Sequence, residues 1–188
     1  MEKIKFGEPF ELIICPEFGF RQTLQWGQYS KRCHKFITKS LWCNLQKTVA
    51  VEALLAKPLY GMSLAEFIRS IEEEGYEFYP LEALMTYALA REPGSDGLRI
   101  MALASAINIE LDLNMAPCLI WMGGKKLLDL CPVPRNDIGV GPGQDIEYLV
   151  GPPLKRALKV NAIPCNFVPP VAKIPFPAVK YGPKKLAA

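Results

Sequence analysis

The pattern of apolar and polar residues divides the chain into a regular body and an irregular tail. Phe10 to Cys15 is an apolar run stopped by Pro16, which predicts a buried strand. Phe18, Phe20, Leu24 and Trp26 alternate against Arg21, Thr23 and Gln25 between Gly19 and Gly27, which predicts a second strand; Lys35 to Thr38 suits a third. From Gln46 to Lys57, Val49, Ala53 and Leu54 stand at helical spacing, and Pro58 closes the predicted helix.

The clearest helix signal follows. Ser63 and Glu66 form a capping box, since each side chain can serve the other's backbone N–H. Leu64, Phe67, Ile68 and Ile71 then share one face, and Gly75 ends the helix. Glu72, Glu73 and Glu74 crowd its C-terminus, where the macrodipole is already negative; each costs about a few tenths of a kcal/mol unless a cation sits nearby. A further helix is expected from Pro80 to Arg91, with Leu81, Leu84, Met85, Ala88 and Leu89 as its apolar stripe. Leu98 to Ala106, apolar and rich in alanine, predicts a short buried helix.

The period then changes to two. Ile107 to Asn114 alternates without a fault and predicts one strand, buried on one side and wet on the other. Cys118–Met122 and Lys125–Leu130 flank Gly123-Gly124, the signal of a tight hairpin. A two-residue turn sets Trp121 opposite Lys126, within reach of a cation–π contact, and Cys118 opposite Asp129 rather than Cys131. That register argues against a disulfide across the hairpin. After Cys131, prolines interrupt nearly everything, leaving room for short elements only at Asp145–Val150 and Leu154–Val160. A proline-rich stretch cannot fold by itself. Its apolar anchors, among them Phe167, Ile174, Phe176 and Tyr181, need a surface on their own domain or on a neighbouring subunit.

The expected fold is therefore α+β, an antiparallel sheet packed against two or three helices. Residues 1–150 form a single domain and residues 151–184 an extended, basic, proline-rich arm. The last four residues, 185–188, resemble an expression-vector scar and stay out of the functional reasoning. With 188 residues, half of them hydrophobic, the chain can bury a core without metal or disulfide staples. The longest apolar runs are too short for a signal core or a membrane span, which points to a cytoplasmic protein without a membrane partner. The six cysteines are scattered with no C-x-x-C pair and read as small buried hydrophobes in a reducing compartment.

The charge, +3 overall, is mild but sorted by segment. No acid occurs from Phe18 to Val51 or from Tyr148 onward, while the middle holds most of the carboxylates. Such sorting speaks to self-association and to partners. The first reading is a non-enzymatic binding or assembly protein. It would self-associate as a homo-oligomer, or bind another protein, through its arm, with basic residues meeting Glu72–Glu74.

The second reading is nucleic-acid or anion binding. Arg21, Lys31, Arg32, Lys35 and Lys39 supply cations, and Trp26 and Trp42 supply aromatic surfaces for stacking. The third is a small enzyme or a small-molecule-binding module. His34, the only histidine, adjoins Cys33 and could serve a thiol nucleophile; Glu110 and Asp112 share the wet face of the alternating strand and could work as acid and base. One histidine excludes two-histidine metal centres, and the ordinary role of each of these groups is a solvated surface side chain. Gly139 to Gly143 lacks the lysine and the third glycine of a phosphate loop and reads as a turn. No cofactor and no metal is implied, and no motif carries a family resemblance.

Overall fold

The structure, a computed structural model, describes residues 4–16, 19–27, 29, 37, 48–91, 97–110, 113–133 and 145–154. Among the described residues it is a mixed, mostly antiparallel sheet of nine strands with three helices. The strands are β1 (Ile4–Phe6), β2 (Phe10–Ile14), β3 (Val49–Pro58), β4 (Glu77–Phe78), β5 (Arg99–Met101), β6 (Ile107–Glu110), β7 (Leu113–Met122), β8 (Lys125–Pro132) and β9 (Ile146–Gly151). The helices are α1 (Gly19–Trp26), α2 (Leu64–Glu73) and α3 (Leu81–Ala90).

β3 lies between two neighbours. On one side β1 and β2 run along it in succession, Phe6 opposite Ala56 and Phe10 opposite Ala53. Three residues on the outer strand thus face two on β3, so the join from Gly7 to Pro9 carries one extra residue, and Gly7 N–H still donates to the Leu55 carbonyl at 2.8 Å. On the other side β9 pairs antiparallel with β3 and parallel with β5, the single parallel pair among the described residues. β5 and β6 both pair with β7, and β8 closes the order beyond it.

Successive residues of a strand point to opposite faces. Leu149, Ile100, Leu119 and Ala53 join one buried cluster with α3, while Tyr148, Val150, Met101, Cys118 and Leu54 join the other with α2. The sheet is thus a middle layer with α3 and α1 on one face and α2 on the other. α3 is buried almost all round, including the carboxylate of Glu82, which has no exposed surface. Its first free N–H, on Leu81, donates to Ser105 Oγ at 2.9 Å, a cap supplied from 24 residues away.

Four local expectations change. Residues 19–26 form a helix, not a strand. Phe20, Thr23, Leu24 and Gly27 are half-buried or buried while Arg21, Gln22 and Gln25 are exposed, which is the helical period; Gln22 breaks the alternation. Residues 49–58 form a strand, not a helix: Val49, Val51 and Ala53 line the α3 face, and Leu54 and Ala56 line the α2 face. A strand buried on both faces has too many apolar positions to display its alternation. Leu98–Ala106 divides into β5 and a single 3-10 turn, Leu103–Ser105. The faultless alternation of 107–114 conceals a reversal, for Asn108 pairs with Asn114 and Glu110 with Leu113. The Gly-Gly hairpin has the expected register, Trp121 opposite Lys126 and Cys118 opposite Asp129, with Gly123 and Gly124 both at positive φ. The Lys126 ammonium reaches the Ala88 carbonyl in the last turn of α3. Residues 155–188, and with them nearly all of the expected arm and the last four residues, lie outside the described residues.

Candidate interaction site at the acidic corner

α2 begins with the capping box expected of it. Ser63 N–H donates to Glu66 Oε2 at 3.0 Å, and Glu66 N–H donates to Ser63 Oγ at 3.3 Å. It ends in a Schellman motif: Gly75 N–H donates to the Glu72 carbonyl at 3.0 Å and Tyr76 N–H to the Ile71 carbonyl at 3.1 Å. Gly75 has φ +80°, a conformation that glycine adopts without penalty. The motif turns the chain sharply, so Glu72, Glu73 and Glu74 stand exposed at one corner while Tyr76 returns to pack edge-on against Phe6, ring centroids 5.6 Å apart. Among the described residues none of the three carboxylates is in an ion pair, and the last turn holds no basic residue.

The last residues before 155 are fastened by β4 and the residue that follows it. Glu77 Oε1 accepts from Leu154 N–H at 2.6 Å, and Tyr79 O–H donates to the Pro152 carbonyl at 3.1 Å. Burial, with Glu77 adding to it, raises the Tyr79 phenol well above its usual range, so it remains a donor. Gly151 is required by the same contact. A Cβ there would stand 2.3 Å from the Tyr79 hydroxyl, inside any van der Waals distance. Leu154 is buried, and the next residues in sequence are Lys155, Arg156 and, three later, Lys159.

Two other groupings were hidden in the sequence. Glu147, half-buried on β9, has its carboxyl pushed up by burial, with Lys57 and Lys5 pulling it down and Asp145 pushing it up; Lys57 itself is ion-paired with Asp145. Alternation along β9 and the β1–β3 register bring these four together, and neither was readable before the pairing was known. The second grouping is Cys118 and Cys131. Both belong to the α2-side core; Cys118 feels the charge of Cys131, and its thiol donates to the Leu119 carbonyl at 3.8 Å. They are diagonal neighbours, since Cys118 faces Asp129 and Cys131 faces Ala116. The register that kept them from facing each other also put them on the same side of the sheet.

Of the other sequence candidates, Arg21 is exposed on α1 and Trp26 is half-buried at its end. Glu110 is placed by its backbone opposite Leu113, so a straight strand does not carry it alongside Asp112, which lies outside the described residues. Lys31, Arg32, Cys33, His34, Lys35, Lys39, Trp42, Phe167, Ile174, Phe176 and Tyr181 also lie outside the described residues. Among the described residues no three His, Cys, Asp or Glu side chains gather as metal ligands, and no helix is long and apolar enough to cross a membrane. No protein-family model, curated protein or solved structure matches this chain.

Proposed function

We propose that this chain is a non-enzymatic, cytoplasmic binding or assembly protein that joins a second protein chain, in the first place another copy of itself, through its arm, 151–184. One observation supports this most: the start of the arm is held by the strand that follows the acidic run in sequence. Glu77, which holds Leu154, is three residues beyond Glu74. The 30 residues from Lys155 to Lys184 contain six lysines and arginines and no acid. At about 3.3–3.6 Å per extended residue, a few residues bring these cations to the corner of the same or an adjoining molecule. Carboxylates without a cation at a helix C-terminus are stabilised by any that arrives.

Deleting 155–188, and separately reversing Glu72, Glu73 and Glu74 to Lys, tests the reading by light scattering and melting temperature. Deletion is expected to lower the mass, and reversal to weaken association in the same direction. Salt should weaken it too, because exposed charges are screened over about 10 Å at 0.1 M ionic strength. If deletion changes neither mass nor melting temperature, the reading fails. Exposed Arg21 favours the anion-binding alternative as second; salt-sensitive oligonucleotide binding, lost in Arg21→Ala, is its measurement.

A further inference from the structure

We propose that Cys118 and Cys131 form a two-electron redox site, closing into a disulfide between β7 and β8 when a hydroperoxide oxidises Cys131. The geometry has three parts. The side chains share one face of the sheet as a diagonal pair within one core cluster, close enough for Cys118 to feel the charge of Cys131. Both are free thiols, Cys118 fully buried and Cys131 7% exposed, so a small oxidant meets Cys131 first. Among the described residues, β8 pairs only with β7, so it can shift where an inner strand cannot.

The surrounding charges divide the roles. The neighbouring Cys118 holds the Cys131 thiol below its usual range, and Arg99 acts in the same direction, while burial and Asp129 oppose them. Cys118 is pushed up, first by Cys131 and then by burial, and Tyr148 stands near enough to feel its charge. Cys131, the thiol with exposed surface and the one whose charged form is favoured, is therefore the nucleophile, since the thiolate is the reactive form. Its sulfur attacks the peroxide, forming an S–O bond and breaking the O–O bond, and hydroxide leaves. The Cys118 sulfur, giving up its proton, then attacks the sulfenic sulfur and forms the S–S bond, and the S–O oxygen departs as water. The two thiols lose two electrons, and one peroxide becomes two waters.

The product is strained. Diagonal partners in a regular ladder lie about 7–8 Å apart between Cα atoms, and a disulfide spans about 4.4–6.8 Å. β8 must close on β7 by about 1 Å. Strained bridges are the readily reduced ones, so this one is reversible by a cytoplasmic thiol such as glutathione.

The experiment treats the native full chain with hydrogen peroxide, alkylates the remaining thiols and maps the tryptic peptides. Residues 100–125 carry Cys118 and residues 127–135 carry Cys131, so the two separate on digestion. The expected result is one cross-linked species joining these peptides, with alkylation lost at both thiols and restored by glutathione. In Cys118→Ser, dimedone should trap a sulfenic acid at Cys131; in Cys131→Ser, Cys118 should stay reduced. In urea the preference for this pair should vanish. Alkylation of both thiols after oxidant, sulfinic acid at Cys131 without cross-linking in the native chain, or dimedone capture at Cys118 but not at Cys131 would each overturn the proposal.

Discussion

The two faces of the sheet are closed by different means. On one, α3 sinks seven of its ten residues into the core and draws its N-terminal cap from Ser105, far along the chain. On the other, α2 buries four of ten, caps itself with Ser63 and Glu66, and presents a charged outer side. α3 is therefore held mainly by its surroundings, and α2 largely by its own sequence. The acidic corner ends α2 and the thiol pair lies in the core beneath it, whereas Tyr79 and Leu154, at the fastened start of the arm, are buried in the cluster with α3.

The largest test of this contrast removes the centre of the α2 face. Phe67 is fully buried against Phe78 and Tyr148, ring centroids 5.7 and 5.0 Å away. Phe67→Ala should cost about 3–5 kcal/mol in urea unfolding. A loss below ~1 kcal/mol would mean that α2 is a loosely attached cover rather than half of the core.

The two caps give the next comparison. Ser105→Ala leaves the buried Leu81 N–H without its acceptor and should cost about 1–3 kcal/mol. Ser63→Ala should cost about 1 kcal/mol. Hydrogen exchange separates them further. Loss of Ser63 should speed exchange in the first turn of α2 alone, whereas loss of Ser105 should lower protection across α3 and the strands beneath it. Equal, local effects from both would erase the distinction between the faces.

The smallest effect is expected from Glu147. Its folded carboxyl is raised, chiefly by burial, so the folded state holds the proton more tightly than the unfolded chain does. The stability it contributes is complete below the ordinary carboxylate range and is lost as pH rises from that range through the raised folded value. Glu147→Gln should flatten this decline and raise the melting temperature slightly at neutral pH while leaving it unchanged in acid. A steeper decline in the variant would show that Lys57 and Lys5 outweigh burial.

The same contrast explains what could be read in advance. α2 and the Gly-Gly hairpin were legible because their determinants are local: a capping box, a periodic stripe, a terminal glycine, a two-residue turn. β3 was not, because residues such as Leu54 and Ala56 are apolar for the sake of the second helical layer, and that layer exists only in the folded molecule. The 107–114 alternation failed in the opposite sense, since a hairpin whose two arms share a period reads as one strand. At the candidate site, Glu72–Glu74 stood out by sequence, but Glu77, Tyr79 and Gly151 did not; their role arises where β4 meets the end of β9. Cys118 and Cys131 were read correctly as not facing each other, and the diagonal was overlooked.

The additional residue between β1 and β2 bears on how copies of this protein can meet. Among the described residues no strand lies outside these two, so they form a border of the sheet. The interruption from Gly7 to Pro9 breaks the repeat of that border, Pro9 brings no N–H to it, and Lys5, Glu8 and Glu11 face water along it. A newcomer laid down there as a continuous strand would lose its bonding halfway. Stacking into fibrils along this rim is thereby discouraged, leaving association to segments that carry their own charge and sequence.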